Sequence, residues 1–376
     1  MTTELISTSE TKASPGPAMN LELNAVYLSE CLYVLNLIPT ASVDLIYMDP
    51  PFCSNRVYAT SRKESGTFPS FNDHWEGGIS HYIPWMIERL VECKRVLKRS
   101  GSIFLNCDPH SSHYLKIAMD EIFGMNNFRN EIIWKRQSSH SDGRQGSKHF
   151  GRIHDVILFY SRTSVPKWHS QYTPYPAEYK NKAYRSVETK TGRRYALGDL
   201  GGIGGKEKSC PRYNFRGFTR YWRYNRKSML RLVRQGRIVQ TNPRAQPKLK
   251  RYLDEMKGME CQDIWDDISP VGNGERVNYP TQKPLKLVER IIRSSTNVGD
   301  VVFDPFCGSG TTAVASYKLS RNWIVVDSSI SACRIVRRRF RAMGVEARIM
   351  SLPLAGKASM QAIISSVRNP GPRTIS

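Results

Sequence analysis

From Leu21 onward the chain alternates between short apolar runs and stretches whose apolar residues recur at helical spacing. "VDLIYM" (43–48) has the pattern of a short buried strand. "HYIPWMIERLVECKRVLKRSG" (81–101) predicts a helix with basic last turns, stopped by Gly101. "SIFLNCD" (102–108) reads as a strand with a polar end, "YLKIAMDEIFG" (114–124) as a helix, and "RIHDVILFYSR" (152–162) as a segment holding a buried strand. The pattern returns with "TQKPLKLVERIIRSST" (281–296), an amphipathic helix. "GDVVFDPFCGSGTTAVASYKLSRNWIVVD" (299–327) then reads as strand, glycine-rich turn, helix and strand, one βαβ unit. A basic helix follows in "ISACRIVRRRFRAMG" (330–344). Such alternation predicts an α/β fold: a doubly wound, mostly parallel sheet covered by helices.

The pattern lapses between residues 165 and 262, and here charge changes the picture. From Lys208 to Leu253 there is no Asp or Glu but there are fourteen Lys and Arg, interleaved with aromatics as in "RYNFRGFTRYWRYNRK" (212–227). The whole chain of 376 residues carries a formal net charge of +23. A balance this basic implies a polyanionic partner, and the one-sided run points to nucleic acid. Arg216, Arg220, Arg223 and Arg226 are the expected phosphate and sequence contacts, with Trp222 and Tyr224 as packing and DNA-stacking residues. Trp75 and Trp85 are expected in the core. No apolar run reaches the roughly 18 residues of a spanning helix, and the first residues lack a basic-then-apolar leader. The eight cysteines form no CxxC pair, which suits a reducing cytoplasm and argues against a zinc site or a disulfide frame. His110 and His113 could mimic a metal pair, but no metal is expected there. The expected organisation is a loose tail (1–19), a first catalytic half (20–164), the basic region (165–262), a second half (263–350) and a C-terminal tail (351–376).

Two strand ends carry candidate chemistry. "MDPPF" ends the first apolar run with a carboxylate, two prolines and a ring, and proline cannot continue a sheet ladder. "GSGTTA" (308–313) fits G-x-G-x-x-G/A between a strand and a helix, and Asp327 ends the next strand. Glycines there admit a ligand close to the backbone, and a strand-end acid suits ribose hydroxyls. An adenosine from either NAD or S-adenosylmethionine fits that pattern. Asp304, just before the glycines, favours S-adenosylmethionine: a carboxylate suits its cationic amino group and repels a pyrophosphate. In a doubly wound sheet strand ends line one crevice, so one motif can hold the methyl donor and the other the acceptor.

"DPPF" (49–52), "FDPFCGSGTT" (303–312) and "YPTQKP" (279–284), in that order, resemble the β class of site-specific DNA amino-methyltransferases. "NFRNEIIWKR" (127–136) and "DIWDDI" (263–268) are similar to segments of the adenine-type members, which include type III modification subunits. The resemblance runs from about residue 23 to 345. It implies a Rossmann-like methyltransferase fold with circularly permuted motif order and an inserted target-recognition region. It further implies S-adenosylmethionine as methyl donor, and a base flipped out of double-stranded DNA as acceptor. Asp49 and the Pro50 carbonyl would accept hydrogen bonds from the exocyclic amine, Pro51 would stiffen the turn and Phe52 would stack on the base. Asp304, Phe306, Gly308, Gly310, Thr311 and Asp327 would contact the donor, joined by Thr281 and Lys283. The family also implies a restriction-modification setting, with a cognate endonuclease subunit and a homodimer as further partners, and neither metal nor membrane. Phe52 stands where tyrosine is commoner, and "VVD" replaces a commoner small-residue lead into the ribose acid.

Adenine N6 is the expected target, since the Asp-Pro-Pro lead favours it over cytosine N4. The rival readings are a non-catalytic DNA-binding protein that keeps the cofactor fold, and a methyltransferase of RNA or of a protein amide. The latter more often carries Asn where Asp49 stands.

Overall fold

The computed structural model describes residues 21–52, 57–58, 71–72, 75, 77–137, 146, 148–203 and 210–352. The expected N-terminal tail and all but the first two residues of the expected C-terminal tail lie outside the described residues. The chain divides into two compact units, one formed by the segments up to Gln171 and from Gln262, the other by Tyr172–Cys261.

The first unit is built on a nine-stranded sheet. Its strands are β1 (Ala25–Leu28), β2 (Val43–Met48), β3 (Leu97–Cys107), β4 (Phe128–Lys135), β5 (His154–Ser161), β6 (Ile264–Trp265), β7 (Val301–Asp304), β8 (Asn322–Asp327) and β9 (Arg348–Ser351). They lie in the order β6-β4-β5-β3-β2-β7-β8-β1-β9. Every pairing is parallel except the two made by β5. The helices are α1 (Cys31–Leu37), α2 (Ile79–Val96), α3 (Ser112–Phe123), α4 (Leu285–Ser295), α5 (Thr311–Lys318) and α6 (Ile330–Ala342). The fold is therefore α/β with a doubly wound, mostly parallel sheet.

Strand alternation shows why β2 reads as uniformly apolar. Ile46 and Met48 pack on one face with Leu90, Cys93, Leu115 and Met119 from α2 and α3. Leu45 and Tyr47 pack on the other with Leu287, Val288, Ile291 and Ile292 from α4. A strand covered on both faces needs apolar residues at every position. From β2 the chain crosses through α2 to β3 on one side, and from the adjacent β7 through α5 to β8 on the other. Successive connections thus leave in opposite directions between β2 and β7, which opens a crevice at their carboxyl ends.

One boundary differs from the sequence reading. The helix stops at Val96, and "LKRSG" already belongs to β3. Gly101 lies in a strand irregularity: Val43 pairs with Leu97 but Leu45 with Ser102, and a Cβ on Gly101 would come within 3.1 Å of the Asp44 carbonyl. A glycine that admits a bulge has the same sequence appearance as one that ends a helix.

In the second unit Lys248–Tyr252 pairs antiparallel with Arg194–Asp199 and with Ile238–Val239. A two-stranded ribbon joins Arg212–Phe215 to Phe218–Tyr221, and Arg226–Arg234 is helical. Leu200, Phe215, Trp222, Met229, Leu232 and Ile238 form its core. Its first strand, Tyr172–Thr173, pairs antiparallel with its last, Met259–Glu260. Beside that pair Gly258 (φ +114°) packs so closely that a Cβ would lie 2.1 Å from the Thr173 carbonyl oxygen. Residues 165–171 belong with the first unit: Lys167 bonds both Asp44 and Asp300, and the His169 amide donates to the Ser294 carbonyl. Among the described residues no helix is long and apolar enough to cross a membrane.

Candidate active site

β2 and β7 are neighbours in register, Leu45 opposite Val302 and Ile46 opposite Phe303. Their ends therefore bring Asp49-Pro50-Pro51-Phe52 beside Asp304-Pro305-Phe306. A cavity of about 420 Å³ opens there. Asp49, Pro50, Pro51, Phe52, Thr281, Lys283, Asp304, Phe306, Gly308, Thr311 and Asp327 all line it, and of the expected donor contacts only Gly310 does not.

Gly310 instead serves the fold. It caps α5 at φ +75°, and a Cβ would lie 2.5 Å from Val336. Gly308, at φ +48°, has the Tyr279 ring 2.9 Å from where a Cβ would stand. Both positions need glycine for the backbone's hand and for space.

The two buried acids tie the turn together. Asp304 accepts from the Phe306 amide at 2.9 Å and the Thr312 hydroxyl at 2.5 Å. Asp327 accepts from the Gly308 amide at 2.9 Å and the Ser329 amide at 2.8 Å. Burial pushes the Asp304 carboxyl up to about 7 and the Asp327 carboxyl up to about 6. Lys283 and Arg89, the cations in the lining, are paired with Asp49 and Glu30, so Asp304 and Asp327 are acids of the cavity without a basic side chain bonded to them, an arrangement that fits a cationic ligand. The Tyr47 hydroxyl, also in the lining, is buried with no hydrogen-bond partner among the described residues, a further polar atom to be satisfied by a ligand.

Lys283 touches both motifs. It precedes α4, whose cap is Pro284, and its side chain is directed to the acceptor motif. Its ammonium lies 2.8 and 2.7 Å from the two Asp49 oxygens and 5.2 Å from the centre of the Phe52 ring. Its carbonyl accepts from the Thr311 hydroxyl in the glycine turn, at 3.1 Å. Asn106, buried at the end of β3, donates to Asp49 Oδ1 at 2.8 Å. Glu275 accepts from the Leu285 amide and so caps α4, which fixes the segment that carries Lys283.

Tyr47, Asn106 and the Lys283–Asp49 pairing went unread in the sequence. Trp85, expected in the core, lines the cavity, its ring under the Arg89 guanidinium at 3.7 Å and 5.7 Å from Phe306. Arg89, itself buried, pairs with Glu30 at 2.5 Å. Trp75 packs against the core, half-buried. His110 is engaged by Asp108 at 2.6 Å.

The second unit corrects the expected DNA contacts in part. Trp222 is fully buried and donates to the Tyr213 carbonyl, so its ring offers no stacking surface. Tyr224 is half-buried against the same core. Arg220 is half-buried, bonded to Gln246 and 3.6 Å from Asp199. The acid-free run is partly neutralised by acids outside it: Lys250 pairs with Glu188 and Arg237 with Glu255. Arg216, Arg223 and Arg226 stay exposed, with Arg223 bonded to the Gly201 carbonyl.

The fold and the paired strand-end motifs are those of an N6/N4-type DNA methylase. The family described by that name matches residues 43–338, and the chain belongs to it. Among curated relatives, the type II methyltransferase M.EcaI of Enterobacter cloacae is 28% identical over 79% of this chain and 64% of its own length. The DNA adenine methyltransferase YhdJ of Escherichia coli is 26% identical over 85% of this chain and 83% of its own. The Mod subunit of the type III enzyme StyLTI of Salmonella typhimurium is 27% identical over 74% of this chain and 47% of its own. The chain thus spans less than two thirds of the first and third of these relatives.

Proposed function

We propose that the chain methylates the exocyclic amine of a base flipped out of double-stranded DNA, adenine N6 ahead of cytosine N4, with S-adenosylmethionine as donor. The observation that carries this is Lys283, whose ammonium holds Asp49 while its carbonyl holds the glycine turn, so that acceptor and donor motifs face one cavity. When bound, S-adenosylmethionine supplies an electrophilic methyl group on a cationic sulfur. Asp304 supplies the negative charge that suits its amino group, Asp327 an acceptor for its ribose hydroxyls, and Gly308 the close backbone approach.

An adenine amine is a poor nucleophile because its lone pair is delocalised into the ring. Hydrogen bonds from the amine to Asp49 and to the Pro50 carbonyl localise that pair on nitrogen. Both acceptors are fixed before the base arrives, which is the source of the rate gain. Asn106 and Lys283 hold Oδ1 together, whereas Oδ2 receives Lys283 alone. Oδ2 is therefore the oxygen left for the amine. Phe52 stacks on the extruded base.

The name of YhdJ supports adenine, and likeness to a Mod subunit supports a cognate restriction endonuclease subunit as partner. A reducing cytoplasm belongs to the same reading, since the sequence holds no CxxC pair. The test is tritiated methyl transfer to undermethylated DNA by wild type and Asp49→Ala, with donor binding measured by calorimetry in parallel. Asp49→Ala should lose on the order of 100-fold or more in transfer and keep donor binding. Binding of NAD with S-adenosylmethionine ignored, or near-full transfer by Asp49→Ala, would overturn the proposal.

A further inference from the structure

We propose that the ribbon Arg212–Phe215/Phe218–Tyr221 reads the DNA sequence, lying in the major groove with Arg212, Asn214, Thr219 and Tyr221 toward the bases. This rests on the reading of the chain as a DNA methyltransferase. The pairing is Arg212 with Tyr221, Tyr213 with Arg220, Asn214 with Thr219 and Phe215 with Phe218. Side chains alternate across a strand, so Tyr213, Phe215, Phe218 and Arg220 share one face. That face meets the core around Trp222. The opposite face, Arg212, Asn214, Thr219 and Tyr221, is exposed at all four positions.

Its chemistry is that of base recognition. A two-stranded ribbon fits the major groove; there Arg pairs with guanine, Asn with adenine, and Thr with polar edges or the thymine methyl. The Asn214 amide donates to the Thr219 hydroxyl at 3.0 Å, which orients both side chains outward from one register position. The tip strengthens the assignment. Arg216 at φ +48° and Gly217 at φ +87° have the left-handed pattern of a two-residue hairpin turn, where Asn or Gly is favoured. An arginine held there carries strain that an Asn would relieve, and it sets an exposed cation at the leading end.

The neighbouring helix Arg226–Arg234 is the rival reader. Its exposed positions are Arg226, Lys227, Leu230, Arg231 and Arg234, four cations and one aliphatic side chain with no amide or hydroxyl among them. That set suits phosphates, which position a protein without specifying sequence.

The experiment selects bound duplexes from a random library with the full chain and sequences them. Wild type is compared with Arg212→Ala, with Asn214→Ala/Thr219→Ala and with Arg231→Ala/Arg234→Ala, after thermal melting has shown each variant folded. Ribbon variants should lose discrimination at one or two positions of the enriched sequence, roughly 5- to 150-fold at each. The helix variant should keep the enriched sequence and bind all duplexes more weakly, its log–log salt slope shallower by about 0.9 per lost phosphate contact. An unchanged sequence in folded ribbon variants, a sequence altered by the helix variant instead, or no sequence enriched by wild type would overturn the assignment. Methyl transfer is assayed separately on undermethylated DNA. Its absence from wild type would remove the enzymatic reading, while the selection would still decide which element reads sequence.

Discussion

Both carboxylate oxygens of Asp49 lie against the Lys283 ammonium, at 2.8 and 2.7 Å, although the residues stand 234 positions apart. The lysine side chain is almost fully buried, so the pair is shielded from solvent screening. In the proposed reaction a base amine approaching Asp49 meets an oxygen already oriented. Lys283→Ala should therefore cut methyl transfer by on the order of 100-fold or more, comparable to removing an oxyanion-hole donor, while donor binding changes little. In the double variant Asp49→Ala/Lys283→Ala the two losses should not add, because the lysine acts through the aspartate. Single-turnover rates of the four proteins check this; additive losses would separate the two residues.

Phe52→Ala should raise the KM for DNA by the equivalent of roughly 1–3 kcal/mol, the worth of one stacked base, with donor affinity unchanged. Phe52→Tyr should behave as wild type, because the ring is what stacks. Steady-state kinetics with DNA varied at saturating donor distinguishes the two.

Donor affinity should depend on pH in a fixed direction. Asp304 and Asp327 are raised from an ordinary 3.8 to about 7 and about 6 by burial. A cationic ligand prefers both ionised, so affinity for S-adenosylmethionine should rise as pH climbs through 6 and 7 and level off above. The sign for stability is opposite in the ligand-free protein. A carboxyl raised on folding contributes stability that is complete below its unfolded value and lost as pH passes through the folded value. Melting of the ligand-free protein should thus weaken from about pH 4 to about pH 7, and added donor should recover most of the loss at the upper end. Calorimetric titrations and melts across pH 5–8 test both; donor affinity that falls with pH would contradict the charge assignment.

Trp222→Ala should destabilise the second unit by about 3–5 kcal/mol, the usual cost of emptying a large buried site. Trp222→Phe should cost less, although it abandons the bond to the Tyr213 carbonyl. Urea unfolding followed by far-ultraviolet circular dichroism measures it. Weakened DNA binding with unchanged unfolding would restore a stacking role to this ring.

What the sequence disclosed was what it encodes locally. "DPPF", "GSGTT" and "TQKP" are contiguous strand ends and turns, and each needs particular residue types at particular spacings. Prolines mark the end of β2, and glycines mark the turn before α5. The strand–helix alternation was legible for the same reason, since each element buries its own periodic face. Asn106 and Tyr47 were not legible. Asn106 reaches Asp49 across 57 positions, and Tyr47 looks like one more apolar position of a buried strand. The sequence context of Lys283 points to the glycine turn, which its carbonyl does meet, but does not show that its side chain crosses to Asp49. Trp222, expected both to pack and to stack on DNA, only packs: arginines on both sides suggest an exposed ring, while the chain turns the indole into the core.

Tyr172–Thr173 and Met259–Glu260 fasten the two ends of the intervening segment side by side, and Gly258 lets them close tightly. A segment joined in this way can be exchanged for another of different length at a small closure cost, because that cost grows only with the logarithm of length. The two adjoining strands thus act as a clasp: what lies between them can grow or shrink while its ends stay where the pairing holds them.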